Sequence, residues 1–166
     1  MLIIEGIDGV GKTTLVELFQ KDGMKKFHFD YDAKNMDLFS KYLKILSLDG
    51  LNDLALDRSF VSEMVYGPVV RNKCKLSLEQ YIELLRQYSL CGAYIIYLIA
   101  PKEALLARRK DDPNDLRIIE EYYDQLSLQY DRIMQLSSNY IEVLQFDTFK
   151  NDENQIQKQV RKLIKK

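Results

Sequence analysis

The sequence predicts an α/β protein in three layers, a parallel sheet with helices on both faces. Strand-like and helix-like segments alternate along the chain. The strands read as continuous apolar runs, as strands buried on both faces do. A glycine-rich turn joins the first strand to the first helix. A chain of 166 residues suits one domain (1–166) with one core.

In chain order, residues 2–5 read as a buried strand, 13–21 as the helix after the glycine turn, and 26–30 as a short second strand. Met36, Leu38, Leu43 and Leu46 give residues 36–48 helical spacing. Residues 54–57 are an apolar strand ending in an acid, and a helix over 62–70 is expected to stop near Pro68. Ser77 and Gln80 fit a capping box at the start of the next helix, whose face is Leu78, Tyr81, Ile82, Leu85 and Tyr88. Residues 93–99, between Gly92 and Pro101, form a central strand, and Pro101 suits the first position of the following helix. A long helix over 115–135 carries Ile119, Tyr123, Leu126, Tyr130 and Ile133. A last strand spans 140–146, and a helix over 152–165 turns Ile156, Val160, Leu163 and Ile164 inward. The 11 tyrosines read mostly as half-buried packing residues.

Composition excludes several classes of function. With 24 basic and 25 acidic side chains the net charge is −1, so nothing draws the whole protein to nucleic acid or a membrane. The only cysteines are Cys74 and Cys91 and the only histidine is His28, which leaves no metal-type Cys/His spacing. The apolar run at the N-terminus is too short for a signal peptide, and the longest, 93–101, is about half the length of a membrane span. A cytoplasmic protein is expected.

The chemistry sits at the strand ends. Gly6-Ile7-Asp8-Gly9-Val10-Gly11-Lys12-Thr13 matches the G-x-x-x-x-G-K-[ST] pattern at every fixed position. Its glycines let backbone N–H groups approach phosphate oxygens, and the helix that follows adds its positive end. Lys12 is a point charge for the outer phosphates, and the Thr13 hydroxyl suits Mg²⁺. Asp57, at the tip of a buried strand, is placed to hold Mg²⁺ or serve the acceptor, and Arg58 supplies a fork matched to phosphate. A strand-end ion pair is the bland alternative for Asp57. Asp30 and Asp32, after the second strand, are either site residues or turn-forming acids.

Residues 5–14, Glu5-Gly6-Ile7-Asp8-Gly9-Val10-Gly11-Lys12-Thr13-Thr14, resemble the opening of thymidylate kinases. The stretch Asp57-Arg58-Ser59-Phe60-Val61-Ser62-Glu63-Met64-Val65-Tyr66 is similar to that family's Asp-Arg-aromatic-x-x-Ser-x-x-Ala-Tyr segment. Arg108-Arg109 before a long helix looks like its lid, about 108–117. The resemblance implies a P-loop NTPase fold of the nucleoside monophosphate kinase type. It also implies transfer of the ATP γ-phosphoryl group to a nucleotide such as dTMP, with ATP and Mg²⁺ as cofactors and a homodimer as the family's habit. It places ATP on Gly6, Asp8, Gly9, Val10, Gly11, Lys12, Thr13 and Thr14, and Mg²⁺ on Thr13 and Asp57. The acceptor falls to Asp30, Asp32, Arg58, Ser62 and Tyr66. Gly9 stands where one subgroup carries a catalytic arginine, so Arg108 and Arg109 are expected to supply that charge, with Arg117 a third candidate. A solvated charged turn is the alternative for 108–117. A compact, lysine-rich chain of this kind would fit a viral or prophage version.

The chain departs from the family at Ser59 and Gly67, and between Asp30 and Leu56, where it is short and lacks an Arg-Glu-Pro-Gly-Gly-like stretch. An acid-Arg-Ser triplet is also the mark of deoxynucleoside kinases, in which Asp30 or Asp32 would act as general base toward a sugar hydroxyl. A GTP-binding switch is disfavoured, because Asn72-Lys73-Cys74-Lys75 has Lys75 where guanine readout needs an acid.

Overall fold

The computed structural model describes residues 1–28, 37–109 and 111–164. Within them β1 (Leu2–Glu5), β2 (Lys25–His28), β3 (Leu54–Asp57), β4 (Tyr94–Ile99) and β5 (Glu142–Asp147) form one parallel sheet in the order β2-β3-β1-β4-β5. The helices are α1 (Lys12–Lys21), α2 (Leu38–Ile45), α3 (Phe60–Val70), α4 (Leu78–Leu90), α5 (Lys102–Arg108), α6 (Pro113–Ser137) and α7 (Glu153–Ile164). A 3₁₀ turn (Leu51–Asp53) leads into β3. The predicted architecture holds. β1 and β3 are buried at every residue and β4 at its four central ones, so helices cover both faces, with α1 against α7 and α3 against α4 and α6.

The strand order fixes where chemistry can occur. β1 lies between β3 and β4, and its register pairs Ile4 with Asp57 and Glu5 with Tyr97. The carboxyl ends of β1 and β3 therefore lie side by side, and in such sheets ligands bind beyond those ends. β2 extends the row, with His28 opposite Asp57.

Several boundaries differ from the sequence reading, each for a physical reason. α3 runs past Pro68 to Val70. Proline cannot donate to the Met64 carbonyl, but Gln129 Nε2 of α6 fills the vacancy at 3.1 Å. α6 starts at Pro113, two residues before the expected 115, because the Asp112 side chain caps the helix at the Asn114 and Asp115 N–H groups. Pro101 is the cap of α5, one residue before the helix begins. The Ser77–Gln80 capping box forms as expected. Leu78 and Leu163 are exposed, since both lie in terminal turns, and Leu84 joins the α4 face instead.

The tyrosines are deeper than expected. Tyr81, Tyr88 and Tyr130 are fully buried. Phe60 meets Tyr42, Tyr81 and Tyr88 edge-on at 5.6, 5.6 and 4.9 Å. Burial is tolerated because each hydroxyl is engaged: Tyr88 donates to the Tyr42 carbonyl at 2.9 Å, and Tyr81 lies 2.6 Å from Ser137 Oγ.

Candidate active site

The glycine loop wraps the end of β1. Gly6 has φ +144°, and a Cβ there would lie 2.4 Å from the Leu98 carbonyl oxygen of β4, so only glycine fits. Gly11 precedes α1 in a left-handed conformation, and no side chain caps the helix. The first N–H groups of α1 therefore point into the cleft without a side-chain acceptor, an arrangement suited to an anion. Lys12 lies along the loop, donating from Nζ to the Gly6 carbonyl at 2.7 Å and the Ile7 carbonyl at 3.0 Å, with Asp8 Oδ1 at 3.7 Å. Burial lowers its pKa to about 8, and the nearby Arg58 charge adds to the effect. Asp8, Glu5 and Asp57 offset part of it.

The end of β3 supplies the second half. Asp57 is buried, and its Oδ2 accepts the Thr13 hydroxyl at 2.9 Å and has His28 Nδ1 at 3.5 Å. Arg58 then takes φ +70°, a left-handed conformation that costs a side-chain-bearing residue about 1–2 kcal/mol. The strained turn is tied down on both sides. Arg58 N–H donates to the Ile4 carbonyl at 3.2 Å, and Ser59, the cap of α3, accepts from Val61 N–H at 3.1 Å. The turn sends the Arg58 guanidinium to Asp8 and over the Tyr66 ring, 5.4 Å from its centroid.

Asp8 is the hub of the two halves. It takes Arg58 and the Tyr66 hydroxyl, at 3.0 Å, and faces Lys12. Burial alone would push its carboxyl up, but Lys12, Arg58 and the Tyr66 hydroxyl together hold it below the usual range.

The third wall comes from the predicted lid. Arg108 closes α5, and residues 113–117 already belong to the first turns of α6. Arg108 donates to Thr148 Oγ1 at 2.9 Å, to the Thr148 carbonyl at 2.8 Å and to the Gly9 carbonyl at 3.4 Å. Arg109 lies against Gly9: a Cβ there would come within 2.9 Å of Arg109 Cγ. Its Nε pairs with Asp115 at 3.3 Å. Burial raises the Asp115 carboxyl, and the Asp8 charge adds to this against the pull of Arg109. Arg108 and Arg109 thus both reach Gly9.

These groups line one cavity of about 490 Å³. Lys12, Thr13, Asp57, Arg58, Arg108 and Arg109 all face it, as do Asp8, Gly9, Gly11 and Thr14. Gly6 and Val10 shape the loop from behind. Ser62 and Tyr66 are not in its lining: Ser62 donates to Glu5 at 2.6 Å, and Tyr66 donates to Asp8 from behind the Arg58 guanidinium. Arg117 is exposed and absent from the lining. Asp30 and Asp32 lie outside the described residues. The sequence singled out neither Thr148, which holds Arg108, nor Asp115, Glu153 and His28, which face the cavity. Thr148 and Glu153 follow β5, so the rule that sites lie beyond strand ends would have found them. Thr13 Oγ1 and Asp57 form a pair of hard oxygen donors, the kind Mg²⁺ takes alongside water and phosphate. Among the described residues no helix is long and apolar enough to cross a membrane.

No family model matches the chain. A thymidylate kinase of Campylobacter hominis is 24% identical over 201 aligned residues, covering 99% of this chain and 100% of that one. Among solved structures, the YorR protein of Bacillus subtilis, in complex with phosphorylated GDP, superposes with a TM-score of 0.82 at 20% identity, covering 99% of this chain and 95% of that one. A deoxyadenosine kinase from M. mycoides with bound dCTP gives 0.60 at 20% identity, covering 98% of each. A thymidylate kinase from Candida albicans gives 0.55 at 14%, covering 99% and 90%. The fold is that of the P-loop kinases. The kinase reading stands, and the resemblance to thymidylate kinases runs the length of the chain.

Proposed function

We propose that the protein transfers the γ-phosphoryl group of ATP to a deoxynucleoside monophosphate, with dTMP as the preferred acceptor. The observation that carries this reading is the convergence of four cations, Lys12, Arg58, Arg108 and Arg109, on one cavity beside the Thr13–Asp57 pair. Four carboxylates, Asp8, Asp57, Asp115 and Glu153, line the same cavity, so the reading rests on where the cations sit and not on a surplus of charge: two phosphorylated substrates need cations on two sides, and Lys12 at the glycine loop and Arg58 at the end of β3 supply them.

In the reaction the bond between the γ-phosphorus and the β,γ-bridging oxygen of ATP breaks, and its electron pair leaves with ADP. A phosphate oxygen of the acceptor forms the new bond. The uncapped start of α1 and Lys12 bind the donor phosphates, and Arg58 holds the acceptor phosphate opposite. Arg109, over Gly9, neutralises charge on the transferring group in the transition state. Mg²⁺ held by Thr13 and Asp57 would neutralise donor phosphate charge. The phosphate acceptor needs no general base. By the resemblance the enzyme acts on free nucleotides in the cytoplasm, as a homodimer.

A second reading, phosphorylation of a deoxynucleoside at its 5′-hydroxyl, is favoured by the Asp57-Arg58-Ser59 triplet and by the imidazole of His28 beside Asp57. An ADP-release assay against the four deoxynucleosides and their monophosphates decides between them. Turnover of dTMP above all others upholds the proposal, and turnover of thymidine without dTMP refutes it.

A further inference from the structure

The geometry points to Glu5 as a positioning residue that sets the direction of Arg58, acting through Ser59. Glu5 is the last residue of β1 and is fully buried, yet among the described residues it reaches neither the cavity nor a basic side chain by hydrogen bond. Its partners are hydroxyls: Oε1 accepts from Ser59 at 2.7 Å, and Oε2 accepts from Ser62 at 2.6 Å and from Tyr130 at 3.3 Å. A buried carboxylate is costly, so three donors aimed at one group form a built arrangement. Burial raises its carboxyl, and the hydroxyls of Ser62 and Ser59 oppose that, as do the charges of Lys12 and Arg58.

Ser59 makes Glu5 more than a packing element. The Ser59 oxygen already accepts from Val61 N–H as the cap of α3, so its hydrogen must be donated elsewhere, and Glu5 Oε1 receives it. Ser59 directly follows Arg58, the one residue between β3 and α3 held at positive φ. Glu5 fixes the residue after the strained turn, as the Ile4 carbonyl fixes the Arg58 N–H within it. Tyr130 adds a second tie, since its one hydroxyl hydrogen is shared between Glu5 Oε2 and the Gly6 carbonyl at 3.1 Å. One carboxylate thereby sets the glycine loop and the Arg58 turn in register. A carboxamide would not replace it, because its NH₂ would face a serine hydroxyl that has to donate.

The inference rests on reading Arg58 as the ligand of the acceptor phosphate. The test compares Glu5→Gln, Ser59→Ala and Ser62→Ala in the full chain, by steady-state kinetics with Mg·ATP and dTMP and by thermal melting. Glu5→Gln and Ser59→Ala should raise KM for dTMP about tenfold, equivalent to ~1.4 kcal/mol. KM for ATP should stay within about twofold. Ser62→Ala removes another buried hydroxyl that donates to Glu5, a turn further along α3, and should raise KM several-fold less. Lower melting temperatures with unchanged KM, or equal KM changes in the two serine variants, would overturn the inference. If wild-type protein did not use dTMP, the functional reading would fail alone. Amide hydrogen exchange without nucleotide then decides: Arg58 and Val61 should lose protection in Glu5→Gln, and unchanged protection would overturn the positioning role.

Discussion

Replacing Lys12 with methionine should abolish turnover and leave the fold as stable as before or more so. The ammonium is buried against two carbonyls, and its pKa is pressed from 10.5 to about 8. Keeping it charged at neutral pH thus costs the folded state about 3 kcal/mol. Methionine has a similar stem and removes that cost. No acceptor is orphaned by the change. The Gly6 carbonyl keeps the Tyr130 hydroxyl, the Ile7 carbonyl keeps Val10 N–H at 3.3 Å, and Asp8 keeps Arg58 and Tyr66. The melting temperature at pH 7 should therefore be no lower than that of wild type, with a gain of at most about 10 °C for a chain of this size. Turnover should fall on the order of 10²-fold or more, because a preorganised charge on the phosphates is lost. Calorimetry and ADP release on the same preparations check both halves. A melting temperature lowered by more than about 5 °C would refute the stability reasoning. Near-normal turnover would refute the assignment of Lys12 to the phosphates.

Arg58→Ala should raise KM for dTMP with little change for ATP, since Asp8 remains held by Lys12 and Tyr66 and the donor side is untouched; equal effects on both substrates would remove Arg58 from the acceptor side. Arg108 and Arg109 should separate: Arg109→Ala should lower kcat about tenfold, whereas Arg108→Ala, which frees Thr148, should weaken ATP binding more than kcat. Identical kinetics in the two variants would contradict this division. Stability should rise with pH from about 8 toward 10, because the unfolded chain keeps the Lys12 proton that the folded protein has released. Above pH 10 the buried tyrosines reverse the trend, since burial raises the pKa of Tyr81, Tyr88 and Tyr130 and the folded state then binds more protons. Chemical denaturation across this range should show the rise in wild type and its absence in Lys12→Met.

Much of the fold was legible because its signals are local. The apolar runs of β1, β3 and β4 need covering on both faces, and the Ser77–Gln80 capping box is written in four residues. The glycine loop and the Asp57-Arg58 tip were legible for the same reason. Elements governed by distant partners were not. α3 continues past Pro68 only because Gln129, 61 positions later, takes the Met64 carbonyl. Ser62 and Tyr66 have the residue types of a substrate site, but Glu5 and Asp8 claim their hydroxyls. Arg108 was visible as a charge near the loop, whereas its hold on Thr148 depends on β5 lying beside β4. Tyr130 read as one more apolar position on α6, and only the fold brings it behind the glycine loop.

The most direct test is ³¹P NMR of the protein with Mg·ATP and dTMP, and in parallel with Mg·ATP and thymidine. The first sample should develop the resonances of dTDP together with those of ADP in equal amounts, and the second should remain unchanged. Appearance of dTMP from thymidine, with dTMP itself left unphosphorylated, would contradict the assignment of a monophosphate acceptor.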